Sequence, residues 1–433
     1  MTGRAAGRDP PAPPDLRGLF FADPRRIALR ALCGAAAVIC FFAPATKAFA
    51  LWDDKLQLFV EEKVTRDDNV FRLSKDVDPE TVGVSSRGDT YRTTSPGFNL
   101  DVPVSRQRFQ ARYAWNTTRF DRFTDLDFDG HDARAAWLWQ LGNDASGQLG
   151  YAETLALASF ANTQSSTPDP LRTRQAFFNT AYLLTPRWRT QVGVSGLEQT
   201  NGAPAFQSLD IKVLDTDIGL SYITPANTSV GLGARSEDGR FPNPGNFGDD
   251  AYHQSSLGVT ADWTVTGASH LSARADRVSR RYAHVPQQDF DGYTARGQYD
   301  WKPTGKFSLA AIAQRDIYPF LDIGSSFVLV KGVTLRPMLS VTEKIDVSGT
   351  FDYSIRDFLG GPGLAGGMQG RVDRVRSATV AASYRPARNV TFSMSAQHEA
   401  RSSNVVPDPA ATPPVLPADY VVNVYSISAR IAF

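Results

Sequence analysis

A histidine and a serine stand two positions apart, at His253 and Ser255. In a β-strand this spacing places both side chains on one face, as an imidazole that activates a serine nucleophile requires. That face would continue through the apolar residues Leu257, Val259 and Trp263, so the pair would point towards lipid. The Asn-Gly-Arg-Ser-Asp context expected around such a pair in a lipase is absent. Because this context is absent, an outer-membrane lipase is kept only as an alternative, and we expect no enzyme.

The residues that commonly bind metals are few and scattered. The chain has five histidines and two cysteines, and both cysteines, Cys33 and Cys40, precede residue 51. No H-E-x-x-H or comparable ligand spacing occurs, and no glycine-rich phosphate loop follows a strand. We therefore expect no metal site and no cofactor.

Charged side chains alternate with apolar and aromatic ones along the chain. In 106–118, Phe109, Tyr113 and Trp115 would face lipid and the arginines between them would face inward. Charges facing the hydrocarbon core cost a few kcal/mol, so a membrane barrel would turn them into its lumen. The predicted lumen-lining residues are Arg106, Arg108, Arg112, Arg134, Arg172, Arg174, Asp215, Asp217, Asp262, Asp300, Asp346 and Asp352. Basic early strands and acidic later strands could create a transverse field that selects solutes, or could pair with each other.

The elements that would position these charges are strands of about ten residues, joined alternately by short and long connections. The short connections are predicted at 103–105, 142–144, 185–186, 224–227, 266–267, 302–305, 342–344 and 385–389. The long ones are predicted at 66–96, 119–130, 159–171, 199–210, 237–250, 281–289, 317–324, 357–371 and 401–418. Short turns on one side and long loops on the other are typical of transmembrane β-barrels. The pattern predicts an all-β antiparallel barrel of about eighteen strands, with sixteen as the alternative.

The C-terminal segment has one apolar face, formed by Tyr425, Ile427, Ile431 and Phe433 together with Ala429. This segment resembles the closing strand of bacterial outer-membrane barrels, whose terminal aromatic residue is recognised by the barrel-assembly machinery. The resemblance implies these four residues as the assembly signal and that machinery as a partner.

The N-terminal segment combines arginines, an apolar run over 31–43 and the sequence Ala48-Phe49-Ala50. These features predict a secretory signal peptide over residues 1–50, cleaved after Ala50, and an outer-membrane barrel over residues 51–433.

The segment Leu51–Ser74 contains Thr65-Arg-Asp-Asp-Asn-Val-Phe-Arg-Leu73. It resembles the EpsL-type outer-membrane proteins of exopolysaccharide operons, which are porin-like β-barrels. The resemblance implies a part in exopolysaccharide biosynthesis or export, with a saccharide substrate and periplasmic polysaccharide-export components as partners. From the residues alone, 67–69 would form a polar turn after the first strand.

The composition agrees with the prediction of an outer-membrane barrel. A formal charge of +1 does not favour nucleic-acid binding, and we expect outer-membrane lipid as the surrounding partner. We expect a polar, charged lumen that serves exopolysaccharide export. A general small-solute porin and a surface adhesin remain as alternatives beside the lipase.

Overall fold

The structure of the protein is a computed structural model that describes residues 52, 55–161, 165–226, 228–243, 251–319, 327–359, 370–408 and 415–433. The predicted signal peptide, residues 1–50, lies outside the described residues. So do residues 244–250 of the predicted loop 237–250 and residues 360–369 of the predicted loop 357–371.

The described chain is built from antiparallel strands. They are β1 (Leu56–Asp67), β2 (Asp89–Val104), β3 (Gln107–Phe120), β4 (Phe128–Leu141), β5 (Ala145–Leu157), β6 (Pro170–Thr185), β7 (Trp188–Asn201), β8 (Ile211–Ile223), β9 (Ser229–Arg240), β10 (Ala251–Thr266), β11 (Ser269–Tyr282), β12 (Phe290–Trp301), β13 (Phe307–Pro319), β14 (Phe327–Thr342), β15 (Ile345–Leu359), β16 (Val372–Ala387), β17 (Val390–Ser403) and β18 (Tyr420–Ala432). Short 3₁₀ turns lie in four of the connections, at Pro79–Val82, Thr124–Leu126, Pro204–Leu209 and Pro286–Gln288. No helix among the described residues has the length and apolar character needed to cross a membrane.

Each strand pairs with its sequence neighbours, and β1 also pairs with β18, which closes the sheet. The result is an 18-stranded antiparallel β-barrel. The closing ladder aligns Phe59 with Ala432 and Asp67 with Val424. Closure pairs the first strand with the last, which a β-sheet needs in order to span a bilayer.

The short connections lie where the turn residues predicted them, and the strand count of eighteen is confirmed. Several strands extend further into the long connections than predicted. The region 66–96 was expected to be a loop, yet β2 begins at Asp89 and pairs with β1 down to Asp67. Residues 90–95 of β2 are mostly threonine, tyrosine and serine, which suit a strand although they lack an apolar alternation.

Strands of 12 to 16 residues are longer than the 9 to 11 residues that a tilted strand needs to cross a bilayer. The excess lies on the side of the long loops. The turn-side part of the outer face is almost entirely apolar, with exposed residues such as Leu220, Leu232, Val259 and Trp263. A closed barrel with an outward apolar band is an outer-membrane protein, and the chain is located in the cell outer membrane.

Candidate functional site: the barrel lumen

Strand register assigns every strand residue to the inner or the outer face, because directly paired residues in an antiparallel ladder share a face. Phe109, Trp137, Leu149 and Phe178 form one such row, and all four are exposed apolar residues. This row defines the outer face. The opposite parity on each strand lines the lumen.

Ten of the predicted lumen residues lie on the inner parity or in the adjoining turn. They are Arg106, Arg108, Arg112, Arg134, Asp215, Asp217, Asp262, Asp300, Asp346 and Asp352.

Arg172 and Arg174 lie on the outer face, so their predicted place in the lumen is wrong. Arg174 is paired with Glu153, and Arg172 shares its strand face with Phe178. Arg174 lies 3.5 Å from Glu153 and 3.5 Å from Glu198, which are also on the outer face. The cause of the error is that β6 is polar on both faces near its N-terminal end.

Several inner charges pair with a neighbour on the same wall. Arg108 lies 2.5 Å from Asp101, and Arg235 forms an ion pair with Asp215. Asp262 lies 3.1 Å from His270. These short-range pairs reduce the transverse field that a segregation of basic and acidic walls would have produced.

Other inner arginines lack an ion pair, and two of them face each other. Arg112 and Arg134 are directly opposite each other on β3 and β4. Neither has an ion pair with a described residue, and the Arg112 guanidinium lies 5.5 Å from the centre of the Phe59 ring. Arg430 lies over the same ring at 3.9 Å. Arg430 is itself directly opposite Glu61. Arg112 and Arg134 form a positive inner patch, because no described carboxylate lies within ion-pair distance of either.

The sequence prediction missed charged residues on the later strands. Arg274 and Arg296 are opposite each other on β11 and β12, facing inward. Arg274 lies 2.7 Å from Asp276, and Arg296 donates a hydrogen bond to Gln314 at 2.8 Å. The later wall is therefore mixed rather than acidic. Its parity was readable in the sequence, where Arg296, Gln298 and Asp300 alternate with small or aromatic residues.

A neutral polar region lies between the basic and mixed walls, on the inner face of β5, β6 and β7. We call it the amide wall and define it as Gln148, Gln175, Phe177, Asn179 and Gln191. None of its four amides forms a hydrogen bond with another described residue, so their donors and acceptors are available to a ligand. Part of this wall borders a cavity of about 710 Å³ towards the short turns.

Phe177 can lie flat on this wall because its cross-strand partner is Gly150. A Cβ at Gly150 would come within 2.3 Å of the Phe177 ring, so a larger residue would push the ring into the lumen. Phe59 and Gly97 form the same kind of pair. Rings held against the wall keep the bore open and present an aromatic face to its contents.

The loop side of the lumen is narrowed by buried contacts. Arg280 is almost fully buried, lies 4.0 Å from the centre of the Tyr252 ring, and donates hydrogen bonds to Gln254 and Glu237. Tyr252 also belongs to a cluster of buried apolar residues that includes Ile317. Since β12 pairs with β13 only up to Arg315, the upper part of β13 leaves the wall and Ile317 reaches this inner cluster.

The first long loop forms a second inward contact. Phe71 and Leu73 are buried with Leu126 and Phe160 from the loops that follow β3 and β5.

At the end of the loop that follows β5, the Asp169 carboxylate accepts a hydrogen bond from the Ala203 backbone at 2.9 Å. Burial raises the pKa of Asp169, and this hydrogen bond opposes the shift.

His253 and Ser255 lie on the outer face, as their parity predicted. The imidazole Nδ1 lies 2.8 Å from the Asp238 carboxylate. No hydrogen bond joins His253 to Ser255 among the described contacts, so the geometry of an activated serine is not formed. The described residues also contain no cluster of His, Cys, Asp or Glu that could hold a metal ion.

The four predicted assembly-signal residues, Tyr425, Ile427, Ile431 and Phe433, have one parity. Tyr425 and Ile427 are exposed on the outer face. The Phe433 backbone donates a hydrogen bond to Leu58 at 2.8 Å, so the terminal residue joins the closing ladder.

Comparison with known proteins places the barrel in a broad class. Residues 277–412 match the profile of a family described as "Putative beta-barrel porin 2". No curated protein matches the sequence significantly.

Similar solved structures include OpdK of Pseudomonas aeruginosa with vanillate, at 10% identity and a TM-score of 0.47, covering 88% of this chain and 99% of that one. OccK2 (OpdF) of the same organism in complex with glucuronate has 10% identity and a TM-score of 0.46, with 88% and 98% coverage. OccAB3 of Acinetobacter baumannii has 9% identity and a TM-score of 0.45, with 88% and 99% coverage. At these levels neither substrate nor mechanism transfers to this chain. The closed wall, the polar lumen and the profile match over 277–412 make the protein a porin-type outer-membrane β-barrel.

Proposed function

We propose that this porin-type barrel conducts saccharide chains and acts in exopolysaccharide biosynthesis and export. The observation that carries the substrate class is the amide wall, whose four amides have no protein partner among the described residues. Each amide offers two donors and one acceptor oxygen, which suits the mixed donor and acceptor character of sugar hydroxyls.

The aromatic ring in the amide wall supports the same substrate. Phe177 lies between Gln175 and Asn179 on one strand face, with Gln148 opposite Asn179. A sugar ring has an apolar face of C–H groups and an edge of hydroxyls. A flat aromatic ring with amides on both sides complements both features.

The size of the barrel agrees with a chain-like substrate. Eighteen strands enclose a lumen of porin width, which can hold an aqueous channel. The resemblance of Leu51–Ser74 to EpsL-type proteins supplies the link to exopolysaccharide. Periplasmic export components would then meet the barrel at its short-turn end.

Conductance measurements test the substrate class. In planar bilayers, a neutral linear oligosaccharide such as maltohexaose should interrupt the ion current of the wild-type channel. The apparent affinity for maltohexaose should be about tenfold lower in the Gln175→Leu/Asn179→Leu variant than in the wild-type channel, in line with the loss of one or two hydrogen bonds. Thr180→Val, on the outer face of the same strand, is the matched control and should behave as wild type. Equal blocking of all three channels would refute the role of the amide wall.

Gene deletion tests the cellular role. Deleting the gene should lower secreted polysaccharide while the cytoplasmic sugar-nucleotide pools remain intact. Wild-type amounts of extracellular polymer in the deletion strain, grown while the operon is expressed, would remove the export role.

A small-anion porin is the second candidate, and the unpaired pair Arg112 and Arg134 favours it. It predicts altered uptake of small anionic solutes with normal polymer output. The deletion strain separates the two functions when both quantities are measured in the same culture.

A further inference from the structure

The outer face of β11 to β16 changes character along the strands. Towards the short turns it is apolar, with Leu271, Leu335, Phe351 and Val380 among its residues. Towards the long loops it becomes basic. We call this second region the basic band and define it as Arg277, Arg315, Lys331, Arg374 and Arg376, which all have the outer parity.

The basic band is one connected surface rather than a set of scattered residues. Arg277 is opposite the exposed Leu257 on one side and the exposed Tyr293 on the other. Arg315 stacks on Tyr293 with its guanidinium 3.9 Å from the ring centre, and it is directly opposite Lys331. Facing cations repel each other, so the fold places them together at a cost.

The band continues across β15 to β16. Arg376 is opposite Tyr353, and its guanidinium lies 6.0 Å from the centre of that ring. Arg374 lies two residues before Arg376 on the same face of β16 and is exposed.

The positive charge of the band is largely uncompensated by the protein. Asp357 lies 2.9 Å from Lys331. Among the described residues, no carboxylate lies within ion-pair distance of Arg277, Arg315, Arg374 or Arg376. By contrast, Arg281 has the same parity on β11 and lies 2.7 Å from Asp291.

The position of the band in the membrane indicates which groups outside the protein could balance its positive charge. An outward-facing cation costs about 2–4 kcal/mol at the bilayer midplane and about 0–1 kcal/mol near the interface. The band therefore marks the boundary between hydrocarbon and headgroups on the long-loop side, with tyrosines at the level expected of an interfacial girdle. At that boundary the arginines face the headgroups of the outer leaflet. Arginine binds phosphate through paired, charge-assisted hydrogen bonds.

We propose that the basic band is a binding surface for phosphorylated glycolipid headgroups of the outer leaflet. Each phosphate would be held between arginines of neighbouring strands, with the acyl chains against the apolar surface below. This surface is separate from the lumen, so the proposal does not depend on the substrate of the channel.

Native mass spectrometry of the purified barrel in detergent tests the proposal, with bisphosphorylated lipid A as the probe. The wild-type barrel should retain it, and dephosphorylated lipid A should bind at least tenfold more weakly. The Arg277→Gln/Arg315→Gln/Arg374→Gln/Arg376→Gln variant should lose binding of the phosphorylated form to a similar extent. Arg281→Gln is the matched control, since its charge is already neutralised, and it should bind as wild type.

Heat-modifiable mobility in gels will show whether the fourfold variant forms a barrel, and Arg374→Gln/Arg376→Gln provides a milder version with a smaller expected loss. Equal retention of lipid A by wild type and by a folded variant would overturn the proposal. So would equal binding of the dephosphorylated lipid, or displacement of the lipid by millimolar inorganic phosphate alone. Retention of phosphatidylglycerol as strong as that of lipid A would overturn the assignment to a glycolipid.

Discussion

The side chain of Asn69 holds both backbone groups of Leu73. Its amide nitrogen donates to the Leu73 carbonyl oxygen at 2.8 Å, and its oxygen accepts from the Leu73 backbone nitrogen at 2.9 Å. The same amide nitrogen also donates to the carbonyl oxygen of Val421 on β18 at 3.0 Å. Asn69 thus fixes the first long loop and ties it to the closing strand. The polar turn expected at 67–69 is present, and it belongs to the segment that resembles the EpsL-type proteins.

Replacing Asn69 with alanine should loosen this loop. The change leaves backbone groups of Leu73 and Val421 without their partner, and each buried unsatisfied group costs about 1–3 kcal/mol. The expected result is a lower temperature for loss of the heat-modifiable form and faster proteolysis within 70–88. Lys75→Ala is the control, because Lys75 is highly exposed and its contact with Asp76 spans 3.9 Å. Equal protease resistance of the two variants would contradict the role of Asn69.

Truncating Phe71 should destabilise the same loop by a different mechanism. Its ring is almost fully buried and lies 4.9 Å from the rings of Phe123 and Phe160. Phe71→Ala should cost about 3–5 kcal/mol locally, because it removes buried contacts and leaves a cavity. Hydrogen exchange should show lost protection in the loops after β1, β3 and β5, with β8 to β10 unaffected. Val406→Ala, at an exposed loop position, should change nothing.

The strand order and the turns could be predicted from the sequence because their signals are local. Residues such as Gly142 and Pro186 mark the short turns, and an antiparallel barrel then follows from counting the segments between them. Faces could be predicted only where one parity is clearly apolar. On β6 the inner face carries Gln175 and Asn179, while the outer face begins with Arg172 and Arg174. Both faces are therefore polar over the N-terminal part of the strand.

Contacts between distant parts of the chain were not predictable. The burial of Ile317 in the same cluster as Tyr252 depends on where β13 leaves the wall, which no local pattern encodes. The amide wall was missed for a different reason. Its residues carry no charge, so the cost of placing a charge in lipid does not identify them. Only the strand register brings them together across β5, β6 and β7.

Ion selectivity should separate the inner arginines from the outer ones. Arg112→Glu/Arg134→Glu should shift the channel towards cations, because two unpaired positive charges in the lumen become negative. Arg108→Glu should have a smaller effect on reversal potential, since it reverses one charge rather than two. Arg174→Glu is the decisive control, because the register places it outside. A selectivity shift for Arg174→Glu as large as that of the double variant would contradict the outer placement.

The C-terminal strand should carry information for assembly as well as closing the barrel. Phe433 joins the closing ladder through its backbone, and Tyr425 and Ile427 present an exposed apolar face. Phe433→Asp leaves the backbone hydrogen bond to Leu58 possible but places a second carboxylate beside the terminal one, where the apolar face of the strand ends. We expect less folded protein in the outer-membrane fraction and accumulation of unfolded chain, whereas refolding of the purified variant in detergent should be nearly normal. Ser428→Ala, on the inner face of the same strand, should assemble as wild type. Poor refolding of Phe433→Asp in detergent would show that the residue acts on barrel stability rather than on recognition by the assembly machinery.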